Sequence, residues 1–146
     1  VLGLSVAGSM VHAPALAKQN MSMIQAPLVV GNDRGGLLRK RLAEIRALRQ
    51  QNRPVEIRGS LCYSTCTLFL GLPATCILPH TIFGFHGPSS YGRALDPQTF
   101  NQASQLISTF YPRPLDQWYL ETARYKIRGL YHIKGQRIID MGVRPC

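Results

Sequence analysis

Acidic residues are scarce in this sequence and long apolar runs are missing. Seven Asp and Glu stand against 17 Lys and Arg over 146 residues, a formal net charge of +10. No stretch approaches the roughly 20 consecutive apolar residues of a membrane-spanning helix, so a helical span within this sequence is excluded. No helix-turn-helix, zinc-finger or RNP-type pattern accompanies the basic residues, and nucleic-acid binding is not expected. The charge still favours acidic partners and leaves association with an anionic membrane surface open. Internal repeats, low-complexity tracts and linkers are lacking too, which points to one domain, residues 1–146, large enough for a real core.

Cysteine is sparse but even in number: Cys62, Cys66, Cys76 and Cys146. Buried free thiols are one reading. A metal site built from Cys62, Cys66 and His80 or His86 lacks a second clear Cys/His pair, so no metal is expected. Disulfides would need an oxidising compartment, and the sequence allows three connectivities without choosing among them. A pair formed near Ser64 would stiffen the turn that carries it.

What is present is concentrated between Pro54 and Pro88. Val55 and Ile57 alternate with polar residues as a half-buried strand does, ahead of Gly59. Leu68, Phe69, Leu70 and Leu72 suit a short helix that Pro73 stops, with Ser64 on the turn before it. Backbone N–H groups at a helix start are unpaired, so a hydroxyl placed there sits beside ready hydrogen-bond donors. Ile82, Phe83 and Phe85 form a strand ending in His86, a candidate base for that hydroxyl. Taken alone, Ser64 is ordinarily an N-cap and His86 a structural residue.

Upstream, Leu28–Val30 reads as a strand, Gly31–Gly36 as a turn and Leu37–Gln50 as an amphipathic helix. Leu37, Leu38, Leu42, Ile45 and Leu48 line one side of that helix. A Gly-Gly pair before a helix lets the backbone approach a ligand and donate an N–H to a developing oxyanion. Downstream, Asp96-Pro97 caps a helix running to about Phe110. Leu115–Lys126 is expected to be another helix, and Ile133–Met141 a last one ended by Gly142. The first twenty residues admit two readings. Ala15-Leu16-Ala17 resembles a signal-peptide cleavage site. Alternatively Val1–Val6 is a first strand and Ala13–Met23 a helix, which suits Pro14 better.

The order of Gly-Gly turn, helix, strand, serine, helix, strand and histidine resembles the proteolytic subunit of Clp protease and the wider Clp/crotonase superfamily. NDRGGLL stands where those proteases carry a Ser-Pro-Gly-Gly turn, with Arg34 in place of the proline. CYSTCTLFLGLP is similar to the segment bearing the nucleophile, and CILPHTIFGFHGP to the segment bearing the histidine. The chain is closer still to exported bacterial Clp-like proteins with a Cys-x-Ser-Ala-Cys-Thr element.

This resemblance implies an α/β fold, a single-domain spiral of repeated ββα units, and a serine peptidase acting on peptides or proteins without a cofactor. Ser64 is then the nucleophile, His86 the general base, and the N–H groups of Gly36 and Thr65 the oxyanion hole. Leu115–Thr122 matches the family's acid-bearing helix and puts Glu121 in the third position, with Asp116 and then Asp96 as alternatives. Asp140, in the closing helix, reads as structural. Export, to the periplasm or beyond, and a homo-oligomer are also implied. The prolines Pro112 and Pro114 in the handle region argue against a Clp-type double ring. Two other classes compete: a non-catalytic binding or assembly module on the same fold, and crotonase-like acyl-CoA chemistry, against which the Ser/His pair argues.

Overall fold

Short apolar segments punctuated by glycine and proline give short strands, and the computed structural model, which describes residues 25–146, contains seven of them. The architecture is α/β. In chain order the elements are β1 (Leu28–Val30), α1 (Leu38–Gln50), β2 (Val55–Ile57), β3 (Leu61–Tyr63), a 3-10 helix (Ser64–Gly71), β4 (Thr75–Ile77) and β5 (Ile82–Phe85). There follow α2 (Pro97–Ser108), α3 (Leu115–Glu121), a 3-10 turn (Ala123–Tyr125), β6 (Tyr131–Lys134), α4 (Gly135–Asp140) and β7 (Arg144–Pro145).

From β2 to β5 the chain alternates between two sheets, while β1 and β2 share one sheet and β5 and β6 the other. One sheet is wholly parallel in the order β1-β2-β4-β7, with Leu28 opposite Val55, Val55 opposite Thr75 and Cys76 opposite Arg144. The other has the order β3-β5-β6, with β3 parallel and β6 antiparallel to β5. The crossing from β2 to β3 needs Gly59, where a Cβ would lie 2.2 Å from the Gly31 carbonyl oxygen. Val55, Ile57, Leu68, Phe69, Ile77, Phe83, Phe85, Leu115, Tyr119 and Ile138 are all buried in one core. Helix α1 covers it with Ile45 and Leu48, while Arg39, Lys40, Arg46 and Arg49 face solvent. Burying each such aliphatic side chain stabilises the fold by about 1.5–3 kcal/mol.

All four cysteines are paired, Cys62 with Cys66 and Cys76 with Cys146. The second bridge ties β4 to Cys146, the residue after β7. Its 70-residue separation corresponds to about 4 kcal/mol of lost unfolded-chain entropy, against about 2 kcal/mol for the short first loop.

Several sequence expectations change. The helix expected over Leu115–Lys126 stops at Glu121 because Thr122 leaves helical geometry (φ −130°, ψ −66°). That break brings the Lys126 carbonyl to the N–H of Gly87, 2.9 Å away. The expected helix over Ile133–Met141 is β6 followed by α4. Tyr131–Lys134 is drawn into pairing with β5, and Gly135 turns the chain where a side chain would collide with the Leu78 carbonyl. Helix α2 ends at Ser108 rather than Phe110, and Asp96 caps its start by accepting from the Thr99 N–H. The strand and helix readings for the first twenty residues lie outside the described residues. No helix among the described residues is long and apolar enough to cross a membrane.

Candidate active site

Strand β3 ends at Tyr63, and the next residue turns sharply. Ser64 has φ +55°, in the left-handed region, as the first residue of the 3-10 helix. For a residue with a Cβ this conformation costs roughly 1–2 kcal/mol, so the surroundings must enforce it. A strained strand-to-helix turn of this kind lifts a side-chain hydroxyl clear of its own backbone.

Three features hold the turn. The Cys62–Cys66 disulfide straddles it, with both residues buried. Thr67 donates its hydroxyl to the Ser64 carbonyl at 2.7 Å. With that proton committed, the 2.7 Å contact between Thr67 Oγ1 and the Tyr111 hydroxyl has Tyr111 as donor. Burial pushes the Tyr111 phenol far up from its ordinary value, so it stays neutral and able to donate.

The Gly-Gly turn lies against Ser64. Gly35 (φ +89°) has no room for a side chain, since a Cβ would sit 2.6 Å from Ser64 Cβ and 3.1 Å from its Oγ. Asp33 fixes this loop. Its Oδ1 accepts from the Gly35 N–H at 2.7 Å, and its Oδ2 pairs with Arg41. Its backbone bonds to Leu61 and Tyr63 of β3. Arg41 in turn stacks 4.3 Å from the Phe69 ring centroid. Where the resemblance has a proline, Arg34 lies 6.0 Å from the Tyr63 ring centroid, and rigidity comes from the Asp33–Arg41 tie instead. Among the described residues the Gly36 N–H donates to no protein group, and the Thr65 N–H is one of the unpaired donors at the helix start.

His86 follows β5 and its Nε2 lies 2.7 Å from Ser64 Oγ. Its Nδ1 lies 2.8 Å from the carbonyl oxygen of Gly87. A carbonyl can only accept, so Nδ1 carries the imidazole proton and Nε2 offers a lone pair to the serine hydroxyl. The His86 carbonyl accepts from the Tyr119 hydroxyl at 3.3 Å. Burial raises the Tyr119 phenol too, against the pull of Arg124, and keeps it neutral.

The carboxylates stand elsewhere. Glu121 is exposed at the end of α3 and, among the described residues, makes no hydrogen bond or ion pair. The bond that the resemblance assigns to Glu121 is made by Gly87. Asp116 accepts from the Gln117 N–H and faces Arg113 at 3.8 Å. Asp96 is occupied as the cap of α2, and Asp140 accepts from Gln136 within α4. Among the described residues no three His, Cys, Asp or Glu side chains converge as metal ligands would.

Gly36, Ser64 and His86 open onto one cavity of about 420 Å³. Leu37, Leu38, Leu68 and Ile107 give it an apolar wall, and Tyr91, 96% exposed, stands at its rim. Among the described residues no Asp, Glu, Lys or Arg side chain lines it. Sequence reasoning passed over Asp33, Arg41, Thr67, Tyr111 and Tyr119. Only Asp33 carried a local signal, the Asx-turn pattern of an Asp two residues before a glycine. Compared with known proteins, the chain matches no family model and no curated sequence.

Proposed function

We propose that this chain is a serine peptidase of the Clp-like type, with Ser64 as nucleophile, His86 as general base and the N–H groups of Gly36 and Thr65 as oxyanion hole. The observation that carries the reading is the 2.7 Å contact of Ser64 Oγ with His86 Nε2, made on a left-handed turn at the mouth of an apolar cavity. The Ser64 proton passes to Nε2 as Oγ bonds to the substrate carbonyl carbon, whose oxygen takes the electron pair. Each backbone donor to that oxyanion is worth about 3–4 kcal/mol in comparable sites. Collapse breaks the C–N bond while His86 returns the proton to the leaving amine, and water repeats the sequence on the acyl-enzyme. The uncharged wall favours a peptide whose apolar side chain enters the cavity beside the scissile bond.

The alternation of β2 with β3 and β4 with β5 between two sheets, each pair followed by a helix, supports the finer fold proposal of a Clp/crotonase spiral of ββα units. Two disulfides support export to an oxidising compartment such as the periplasm. Self-association into a homo-oligomer completes the proposal, and sedimentation over a range of concentrations tests it.

One observation favours a second reading. His86 has a neutral carbonyl rather than a carboxylate behind it, as a non-catalytic binding or assembly module with a decayed triad would allow. A fluorophosphonate probe separates the two. The peptidase labels at Ser64 and loses the label in Ser64→Ala; equal reaction of both proteins leaves the module.

A further inference from the structure

We infer that the task a carboxylate performs in a Ser-His-acid triad is carried out here by the main-chain carbonyl of Gly87, so that Ser64 and His86 work without any acidic partner. The inference rests on the hydrolytic reading and concerns how its base is set. A third member has two jobs: it fixes which imidazole nitrogen bears the proton, and it holds the ring in place. The Gly87 carbonyl does the first by accepting from Nδ1 at 2.8 Å, since it has no proton of its own to give.

The second job requires an immobile carbonyl, and the peptide around Gly87 is clamped from three directions. Its N–H donates to the Lys126 carbonyl at 2.9 Å. Its Cα lies so close to the chain at Arg124 that a Cβ would come within 1.7 Å of the Arg124 carbonyl oxygen. The preceding carbonyl, that of His86, accepts from the Tyr119 hydroxyl at 3.3 Å. Gly87 is buried and His86 half-buried, so the Nδ1 bond is partly withdrawn from solvent. Tyr119, Arg124 and Lys126 therefore act as positioning residues, Tyr119 through its side-chain hydroxyl and the other two through their main-chain carbonyls. This accounts for a third member that no carboxylate in the sequence supplies convincingly: Glu121 is exposed, and Asp96 and Asp116 are engaged elsewhere.

The test uses the full 146-residue chain, the rate of fluorophosphonate labelling, and 15N spectra of the His86 imidazole. Glu121→Gln, Asp116→Asn and Asp96→Asn, singly and combined, are expected to label within about twofold of wild type, where an orienting acid would cost about 10,000-fold. The imidazole is expected to show a protonated Nδ1 and a bare Nε2 in wild type and in all of these variants. Gly87→Ala, which must shift the carbonyl, is expected to slow labelling at least about tenfold and to populate the opposite tautomer. A loss of 100-fold in any single acid variant overturns the inference. So does a wild-type imidazole protonated at Nε2, or a folded Gly87→Ala protein with unchanged rate and tautomer. Should wild type fail to label at all, the peptidase reading falls, while the tautomer in wild type and in the acid variants still decides what orients the ring.

Discussion

Ser64 and His86 meet because β3 and β5 are parallel neighbours and end at the same edge of their sheet. Tyr63 pairs with Gly84, so the residue after β3 and the residue after β5 emerge side by side, with Oγ and Nε2 2.7 Å apart. The left-handed turn at Ser64 then directs the hydroxyl toward the imidazole rather than along the strand.

This arrangement separates activity from stability at position 64. Ser64→Ala and Ser64→Gly both lose the proposed nucleophile and are expected to lower hydrolysis by at least about 10,000-fold. They differ in stability. Alanine keeps the left-handed penalty and glycine does not, so Ser64→Gly is expected to be about 1 kcal/mol more stable than Ser64→Ala. Urea denaturation of the two variants measures the difference. Equal midpoints would mean that the turn relaxes at no expense.

The two disulfides are expected to divide the same way. Replacing Cys76 and Cys146 by alanine removes the long-range tie and should lower stability by about 4 kcal/mol, with labelling of the protein that remains folded unchanged. Replacing Cys62 and Cys66 should lower stability by only about 2 kcal/mol while slowing labelling severalfold, because that bridge encloses Ser64. Denaturation midpoints and labelling rates, measured on both double variants, provide the comparison.

Asp33 anchors the Gly-Gly turn through two kinds of bond, and its variants should resolve them. Asp33→Asn keeps an acceptor for the Gly35 N–H but loses the ion pair with Arg41. Asp33→Ala loses both. Hydrogen bonds to charged groups contribute about 1.5–3 kcal/mol, so Asp33→Ala is expected to destabilise by that amount and Asp33→Asn by less. If Gly36 donates to the oxyanion, kcat should fall in the same order with KM little changed. A fall confined to KM would place the loop in substrate binding instead.

Tyr111 and Tyr119 set an alkaline limit. Both phenols are raised in the folded protein, chiefly by burial, above the ordinary value of 10.0. Below that value each is neutral folded or unfolded, and the stabilisation linked to the retained proton is fully present. As pH rises past it, the unfolded chain loses protons that the folded state keeps. Stability should therefore fall with a slope of up to about 1.4 kcal/mol per pH unit for each tyrosine. Tyr111→Phe should flatten the fall between about pH 10 and about pH 12, as denaturation midpoints across that range will record.

The helical stripe of α1, the Asp96-Pro97 cap and strands β2 and β5 were legible because apolar spacing and cap chemistry are local, whereas β3, which leads straight into Ser64, was read as part of the turn. Strand β6 was not. Its side chains are largely exposed at a sheet edge, and the apolar Ile138 and Ile139 beyond it extend a helical pattern backwards. Strand β7, Arg144–Pro145, has no apolar signature and exists through pairing with Cys76 and Ile77. At the site, serine and histidine could be chosen by residue type and order. The partner of Nδ1 could not, because every residue has a carbonyl and only the folded chain determines which one faces the ring.

The cavity beside Ser64 yields the last expectation. Its wall of Leu37, Leu38, Leu68 and Ile107 carries no charge, so a charged side chain entering it would lose hydration without gaining a partner. Peptide substrates with Leu, Met or Phe next to the cleaved bond are expected to exceed those with Asp or Lys by at least about 100-fold in kcat/KM, the size of a loss near 2.7 kcal/mol. Ile107→Lys should reverse part of this order by admitting Asp or Glu, since a partly buried lysine gains from an anion beside it. Ile107 belongs to α2 and is half-buried, so the substitution leaves Ser64 and His86 in place and reads the wall alone. If selectivity does not respond to it, the substrate's side chain occupies some other part of the surface.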